Sequence, residues 1–523
     1  MKPSTLVFAA FLFVVTVAAQ TPQPTMTPVP TATPFAIQKT VQTLADIQSK
    51  IRARLLAPEL RRGQVGVKIV SLNSGKVVFE ENAEKYFMPA SNMKNFTVAA
   101  ALDRLGPNYR FVTSVYAPSM PDGSGTIKGN LRVFGRGDVS ISTSFAEGNY
   151  YKGLDELADK IMSAGVKRVD GDLIADETYF SGSPVPGTWE WDDLQWYYGA
   201  EVSALPLNDN AIDLSVLPGP VGYQCAVRIN PTNAVIRVIN QCTTSPAGTQ
   251  RTLRIEKKVD RNILEITGSL PVGNNGFKGY VTVSRPAELF ISLLRERLAL
   301  KGVTVTGQAR AVNLKPAISE PSVEITKLES PPLSLIAAKT MKPSQNMYTE
   351  TLLWTLGEHS RATTAATPGG GTVAPSTADS AELGIAAVKK FLGEIGVAPD
   401  GIIQHDGSGL SRHNLITPSA VVQLYSYMGK QSKVSQAWRD SLTIGGVDGT
   451  LRRRFVGTRA AGNVRGKTGT IDQVSALSGY VTTAAGEELV FSMVVNGINE
   501  ASVRTAAIDE IVLSLASFDG KVD

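Results

Sequence analysis

The sequence predicts an α+β protein. An antiparallel sheet flanked by helices is built from both ends of the chain and split by a β-rich middle. Three observations predict it. Each end supplies a helix and a pair of hairpin strands, so the two ends can share one sheet. From about Tyr109 to Ile325 the texture changes to short β runs punctuated by Gly/Pro turns. The length, 523 residues, leaves room for about three domains of roughly 100–200 residues each.

The elements follow in order. Lys2 precedes the uncharged run Leu6–Ala19, the length of a signal h-region and too short to span a bilayer comfortably. Val17-Ala18-Ala19 offers small residues for cleavage, and no Cys follows to carry a lipid anchor. Residues 1–19 are read as an export signal in preference to a retained anchor. Thr and Pro dominate Thr21–Pro34, so 20–35 reads as an extended tether, suited to holding the folded part off a membrane or wall. Phe35–Leu60 reads as a helix, with Val41, Leu44, Ile47, Ile51 and Leu55 at helical spacing. Val65–Ser71 and Lys76–Glu80 read as strands around the turn Asn73-Ser74-Gly75. Met93–Leu102 is Ala- and Leu-rich and reads as a helix. In the middle, Pro286 opens a helix carrying Leu289, Phe290, Leu293, Leu294 and Leu298, and Gly302 ends it. Ala362–Ser380 is low-complexity and reads as a loop. Val474–Thr482 and Leu489–Asn496 flank a turn at Gly486. A last helix places Ile508, Ile511, Val512 and Leu515 on one face.

Composition excludes several functions. Lys plus Arg is 52 and Asp plus Glu 47, a net charge of +5. With no Lys/Arg-rich run, no nucleic-acid partner is expected. Three His and two Cys, without HExxH or paired CxxC, argue against a zinc enzyme, and no metal or cofactor is expected. Cys225 and Cys242 suit an oxidising compartment. The β-type run Ala234–Ile239 between them reads as a hairpin. A bridge closing it, favoured over two buried thiols, stabilises by about 3 kcal/mol.

Three short motifs carry chemistry: Ser91-Asn92-Met93-Lys94, Ser344-Gln345-Asn346, and Lys467-Thr468-Gly469 followed by Thr470. A serine hydroxyl is a poor nucleophile and needs a base beside it. Ser91 and Lys94, three apart on a helix, lie on one face. Lys94 acts as that base only if its pKa falls, which burial and a second cation, Lys467, both favour. Ser91 at the helix start also puts its backbone N–H where an oxyanion forms. Ser344 can relay a proton to the leaving amine, and the Asn346 amide can pair with a peptide. Lys467, Thr468 and Thr470 can hold a terminal carboxylate on an edge strand, where Gly469 permits close backbone approach. Each motif is weak alone; a second Ser-x-Asn, at Ser71-Asn73, is an ordinary turn. Their order and their placement at element edges make the set specific.

The set resembles the SxxK, SxN and KTG motifs of the penicillin-recognising serine enzymes. His405-Asp406-Gly407-Ser408-Gly409-Leu410-Ser411-Arg412 narrows it, being similar to a signature of class C low-molecular-mass penicillin-binding proteins, the D-alanyl-D-alanine carboxypeptidases/endopeptidases. Gly135-Arg136-Gly137-Asp138, Tyr198-Gly199-Ala200, Ser203-Ala204-Leu205 and Gly446–Leu451 are also similar to that family. The resemblance covers about Phe35–Phe518. It implies a serine β-lactamase/transpeptidase-like domain (36–108 and 326–523) split by an inserted domain (109–206 and 286–325) that itself carries a third (207–285). It further implies peptidoglycan peptide stems as substrate, β-lactams as covalent inhibitors, and Asp193 as an acidic position reading a diamino acid's amine. A surface charge beside buried tryptophans is an equally good reading of Asp193. Asp406 and Ser408 read as turn-formers. A triad through His405 and Asp406 is disfavoured because it leaves both lysines unexplained. The expected activity is a serine DD-peptidase, carboxypeptidase and/or endopeptidase, in an exported protein. A periplasmic address is preferred to an extracellular or wall-attached one. The rivals are a β-lactamase or D-amino-acid esterase at the same site, and a non-catalytic peptidoglycan-binding protein.

Overall fold

A computed structural model describes residues 41–314, 322–365 and 377–522. The expected signal and tether, the start of the first helix and the centre of the low-complexity stretch Ala362–Ser380 lie outside the described residues. Among the described residues no helix is long and apolar enough to cross a membrane.

The first helix is Leu44–Leu55, shorter than the spacing suggested. Thr43 and Asp46 set its start: the Asp46 N–H donates to the Thr43 hydroxyl and the Asp46 carboxylate accepts the Thr43 N–H. This reciprocal capping satisfies two end groups. Val41, placed on the apolar face by spacing alone, precedes the helix and is exposed. Pro58 opens a separate 3₁₀ turn, Pro58–Leu60.

The two chain ends meet in one six-stranded sheet. Its order is Val77–Glu81, Gln64–Ser71, Glu488–Asn496, Val474–Thr482, Arg465–Ile471 and Thr443–Ile444. Every neighbouring pair is antiparallel. Gln64 faces Asn496 and Ser71 faces Leu489, so the first hairpin is locked in register to the last. The two central C-terminal strands are apolar on both faces, as a sheet covered on both sides requires. Val481, Phe491, Met493 and Val495 pack with Ile47, Ile51, Ile508 and Leu515 of the first and last helices. Tyr480, Val490 and Val494 point the other way, into a helical layer with Phe96, Leu352, Phe391 and Trp438.

The middle of the chain builds a five-stranded sheet ordered Ala309–Val312, Leu173–Asp176, Leu131–Phe134, Val112–Ala117 and Val323–Glu329. The last of these crosses the boundary expected between 325 and 326. Helices Lys152–Ser163 and Pro286–Leu300 pack beside it, and smaller sheets follow within 211–282. One apolar core joins these parts, from Val115 and Leu157 through Phe290 to Leu214 and Ile266. Cys225 and Cys242 are joined by a disulfide, but the chain between them is not the expected hairpin. Ala226–Asn230 pairs with Ala211–Leu217, whereas Arg237–Asn240 pairs in parallel with Ile263–Thr267. A turn separates the two: Pro231 offers no N–H, and the Asn233 side chain accepts those of Val235 and Ile236.

Candidate active site

Ser91 does not stand on an α-helix as expected. It lies in a 3₁₀ turn, Ala90–Met93, that leads into the helix Lys94–Leu105. The tighter winding brings positions i and i+3 directly over one another, and Ser91 Oγ lies 2.9 Å from Lys94 Nζ. Gly409 fixes the approach to this turn. It sits at φ 85°, and a β-carbon there would fall 1.8 Å from the Ala90 carbonyl oxygen.

Lys94 is fully buried. Its Nζ donates to Asn346 Oδ1 at 2.6 Å and to the Ser408 carbonyl at 2.8 Å. Burial pushes its pKa down to about 7, with the Asp406 and Glu350 carboxylates pulling the other way. A neutral amine has two N–H donors, which the two carbonyl oxygens occupy, and its lone pair is left to face the Ser91 hydroxyl. Lys467 is also fully buried. Its Nζ donates to Ser344 Oγ at 2.8 Å and to the Thr468 carbonyl at 2.9 Å. Burial, then the charge of Lys94, holds it well below the ordinary lysine range.

Ser344 occupies the turn between helices Leu333–Met341 and Asn346–Ala365, at φ 67°. Asn346 opens the second helix and donates through Nδ2 to the Tyr198 carbonyl at 2.8 Å. Lys467, Thr468, Gly469 and Thr470 share the strand Arg465–Ile471. A β-carbon on Gly469 would meet the Pro89 carbonyl at 2.4 Å, so only glycine lets this strand lie against the Ser91 turn. Thr468 Oγ1 is bonded to Thr450 Oγ1 at 2.7 Å.

A cleft of about 610 Å³ opens over these groups, lined by Ser91, Ser344, Asn346, Thr468 and Thr470. Asp193 stands on its rim with Glu190, Asp192 and Arg412. Asp193 is half-buried, and burial together with Asp192 and Glu190 raises its pKa. Of the neighbouring tryptophans, Trp189 is buried but Trp191 is exposed. Asp406 accepts from the Gly409 and Ser411 N–H groups, Asn414 Nδ2 and Trp189 Nε1. Its oxygens are occupied without His405, whose ring lies 5.6 Å from that of His413.

Sequence reasoning passed over Glu350 and gave no role to Asn92 or Tyr198. Glu350, fully buried, accepts the Gly407 and Ser408 N–H groups at 2.8 and 2.7 Å. It thereby holds the turn whose carbonyl receives Lys94. Burial, then Asp406, pushes its pKa up to about 8. Its position one helical turn after Asn346 was the available signal. Asn92, inside the first motif, ties the Ser91 turn to the sheet by donating to the Lys467 carbonyl and accepting from Ser478. Tyr198, part of the Tyr198-Gly199-Ala200 resemblance but given no role there, supplies its carbonyl to Asn346 from far along the chain.

A hydroxyl beside a half-neutral buried amine, on this helix-covered antiparallel sheet, defines the class: a serine hydrolase of the penicillin-recognising kind. The sequence matches the D-Ala-D-Ala carboxypeptidase 3 (S13) family over residues 47–518, and the chain belongs to that family, a serine DD-peptidase. It is 34% identical over 500 residues to the D-alanyl-D-alanine carboxypeptidase of an Actinomadura species, covering 94% of this chain and 88% of the relative. It is 26% identical to D-alanyl-D-alanine carboxypeptidase DacB of Haemophilus influenzae, covering 84% and 87%. The crystal structure of penicillin binding protein 4 from Haemophilus influenzae superposes with a TM-score of 0.75 at 23% identity, over 89% of this chain and 98% of that one. A structure of the same Haemophilus protein complexed with a β-lactam gives 0.69 at 22% identity, over 89% and 98%.

Proposed function

We propose that Ser91 is the nucleophile and Lys94 its base in cleavage of a D-alanyl peptide bond. The observation that carries this reading is the 2.9 Å approach of Ser91 Oγ to a buried Lys94 whose two other partners are carbonyl oxygens. The Ser91 proton passes to Lys94 Nζ as Oγ attacks the carbonyl carbon. The Ser91 and Thr470 N–H groups receive the oxyanion. Ser344, backed by Lys467, passes that proton on from Lys94 to the leaving amine, and the regenerated Lys94 then takes a proton from the water that hydrolyses the acyl-enzyme. Thr468, Thr470 and Lys467 hold the carboxylate of the leaving residue, and Asn346 pairs with the peptide. Asp193 reads an amine on the acyl side, which its place on an acidic rim supports.

The substrate is a peptidoglycan stem peptide, cut as carboxypeptidase, endopeptidase or both. β-Lactams acylate Ser91, a reading supported by the β-lactam complex of the Haemophilus protein. The chain is exported, with a periplasmic address favoured. The three-domain division stands as a proposal, with the outer insertion ending near Glu329, where its last strand ends. The test is intact mass after benzylpenicillin, with D-Ala release from a stem pentapeptide measured alongside. Wild type is expected to carry one adduct and release D-Ala, and Ser91→Ala to do neither. Release by Ser91→Ala would sink the assignment.

A further inference from the structure

Resting on the role proposed for Ser344, we infer that Asp209, in the inserted middle of the chain, is a positioning residue for the Ser344-Gln345-Asn346 motif. The insertion is then part of the catalytic apparatus and not an appendage to it.

The argument begins at Ser344. Its φ of 67° is left-handed and carries no glycine to ease it, so neighbouring contacts must hold it there. Two of them come from outside the insertion, from the preceding helix and the six-stranded sheet. The Gln345 N–H donates to the Thr340 carbonyl at 2.8 Å, and Lys467 Nζ reaches Ser344 Oγ at 2.8 Å. The others come from the insertion. Gln345 is buried, and its Nε2 donates to Asp209 Oδ2 at 2.9 Å. Asn346 Nδ2 donates to the Tyr198 carbonyl at 2.8 Å. The residues on either side of the strained backbone and its hydroxyl are thus held by side chains, main chain and a lysine from separate parts of the fold.

Asp209 joins the insertion to the chain on either side of Asn346. Its Oδ1 accepts from the Ser142 hydroxyl at 2.8 Å and from the Tyr348 hydroxyl, and its Oδ2 takes Gln345. Three neutral donors surround a half-buried carboxylate that has no cation among its hydrogen-bond partners, an arrangement with a desolvation cost. The backbone adds to the cost. Asn208, Asp209 and Asn210 stand at φ 46°, 62° and 55°, three consecutive left-handed residues that are not glycine. Asn208 and Asn210 brace them, accepting the Thr143 and Leu207 N–H groups. Asn and Asp are the residues that tolerate this conformation best. Stored strain of this kind collects where a fold must aim a group. What Asp209 aims at is the helix start bearing Gln345 and Tyr348, one residue beyond Ser344.

The test uses the full protein and the rate constant for acylation by benzylpenicillin. Asp209→Ala is expected to slow acylation by about tenfold or more, because small misplacements of catalytic groups cost that much. In a Ser344→Ala background the same substitution is expected to cost less than about twofold, since the group it aims is gone. Equal losses in both backgrounds, or no loss in either, would overturn the inference. If Ser344→Ala alone leaves acylation unchanged, it is the reading of Ser344 that fails. A second pair guards against misfolding. Gln345→Glu sets two carboxylates against each other and is expected to slow acylation. Adding Asp209→Asn restores a donor to the pair and is expected to recover most of the loss. A double variant no faster than Gln345→Glu alone would count against the contact.

Discussion

The six-stranded sheet region and the inserted middle use burial differently. Strands Val474–Thr482 and Glu488–Asn496 are buried along almost their whole length. The fold can therefore bring Lys94, Lys467, Glu350 and Asp406 to nearly complete burial between the sheet and the helical layer. Strands such as Ala226–Asn230 and Arg254–Lys257 alternate between exposed and half-buried positions, leaving one side to water. A disulfide supplements the thinner core of that region. The difference teaches where the chemistry can reside. The deeply covered region provides the low-dielectric setting that brings the Lys94 pKa down to about 7. The exposed region contributes by reaching over with Tyr198 and Asp209.

Three variants sharpen the contrast, from the largest expected effect to the smallest. Lys94→Ala removes the proposed base and is expected to slow penicillin acylation on the order of a thousandfold, measured by stopped-flow or intact mass against time. Glu350→Ala leaves the Gly407 and Ser408 N–H groups buried without a partner. It is expected to cost about 3 kcal/mol in urea unfolding and to slow acylation about tenfold by loosening the Ser408 carbonyl on Lys94. Stability loss with normal acylation would show that this turn does not position Lys94. Replacing both Cys225 and Cys242 by Ala is expected to cost a similar amount, about 3 kcal/mol, yet to change acylation by less than about twofold. A large acylation loss there would dissolve the distinction between the two regions.

Much of this was legible in the sequence, for definite reasons. The hairpins at Gly75 and Gly486 and the last helix lie where periodicity put them, because pattern and burial agree there. The motif residues Ser91, Lys94, Ser344, Asn346 and Lys467 converge because each marks an element edge beside the same cleft. Apolar spacing alone overextends the first helix, because the Thr43–Asp46 capping pair sets its start at Leu44. The run before Cys242 was misread as a hairpin partner because parallel pairing with Ile263–Thr267 is a long-range choice. Glu350 had a local signal, helical spacing from Asn346. Asp209 had only a faint one, three consecutive Asn/Asp residues that tolerate left-handed backbone.

The central claim is that burial brings Lys94 close enough to neutrality to serve as the base for Ser91. The most direct measurement is the rate of Ser91 acylation by benzylpenicillin as a function of pH. Burial lowers the Lys94 pKa to about 7, so the reactive neutral form grows as pH rises through that value. The predicted result is a rate that climbs with a midpoint near pH 7 and levels above it. A rate flat between about pH 5 and 9, or one that rises only near the ordinary lysine value of about 10.4, would contradict the account.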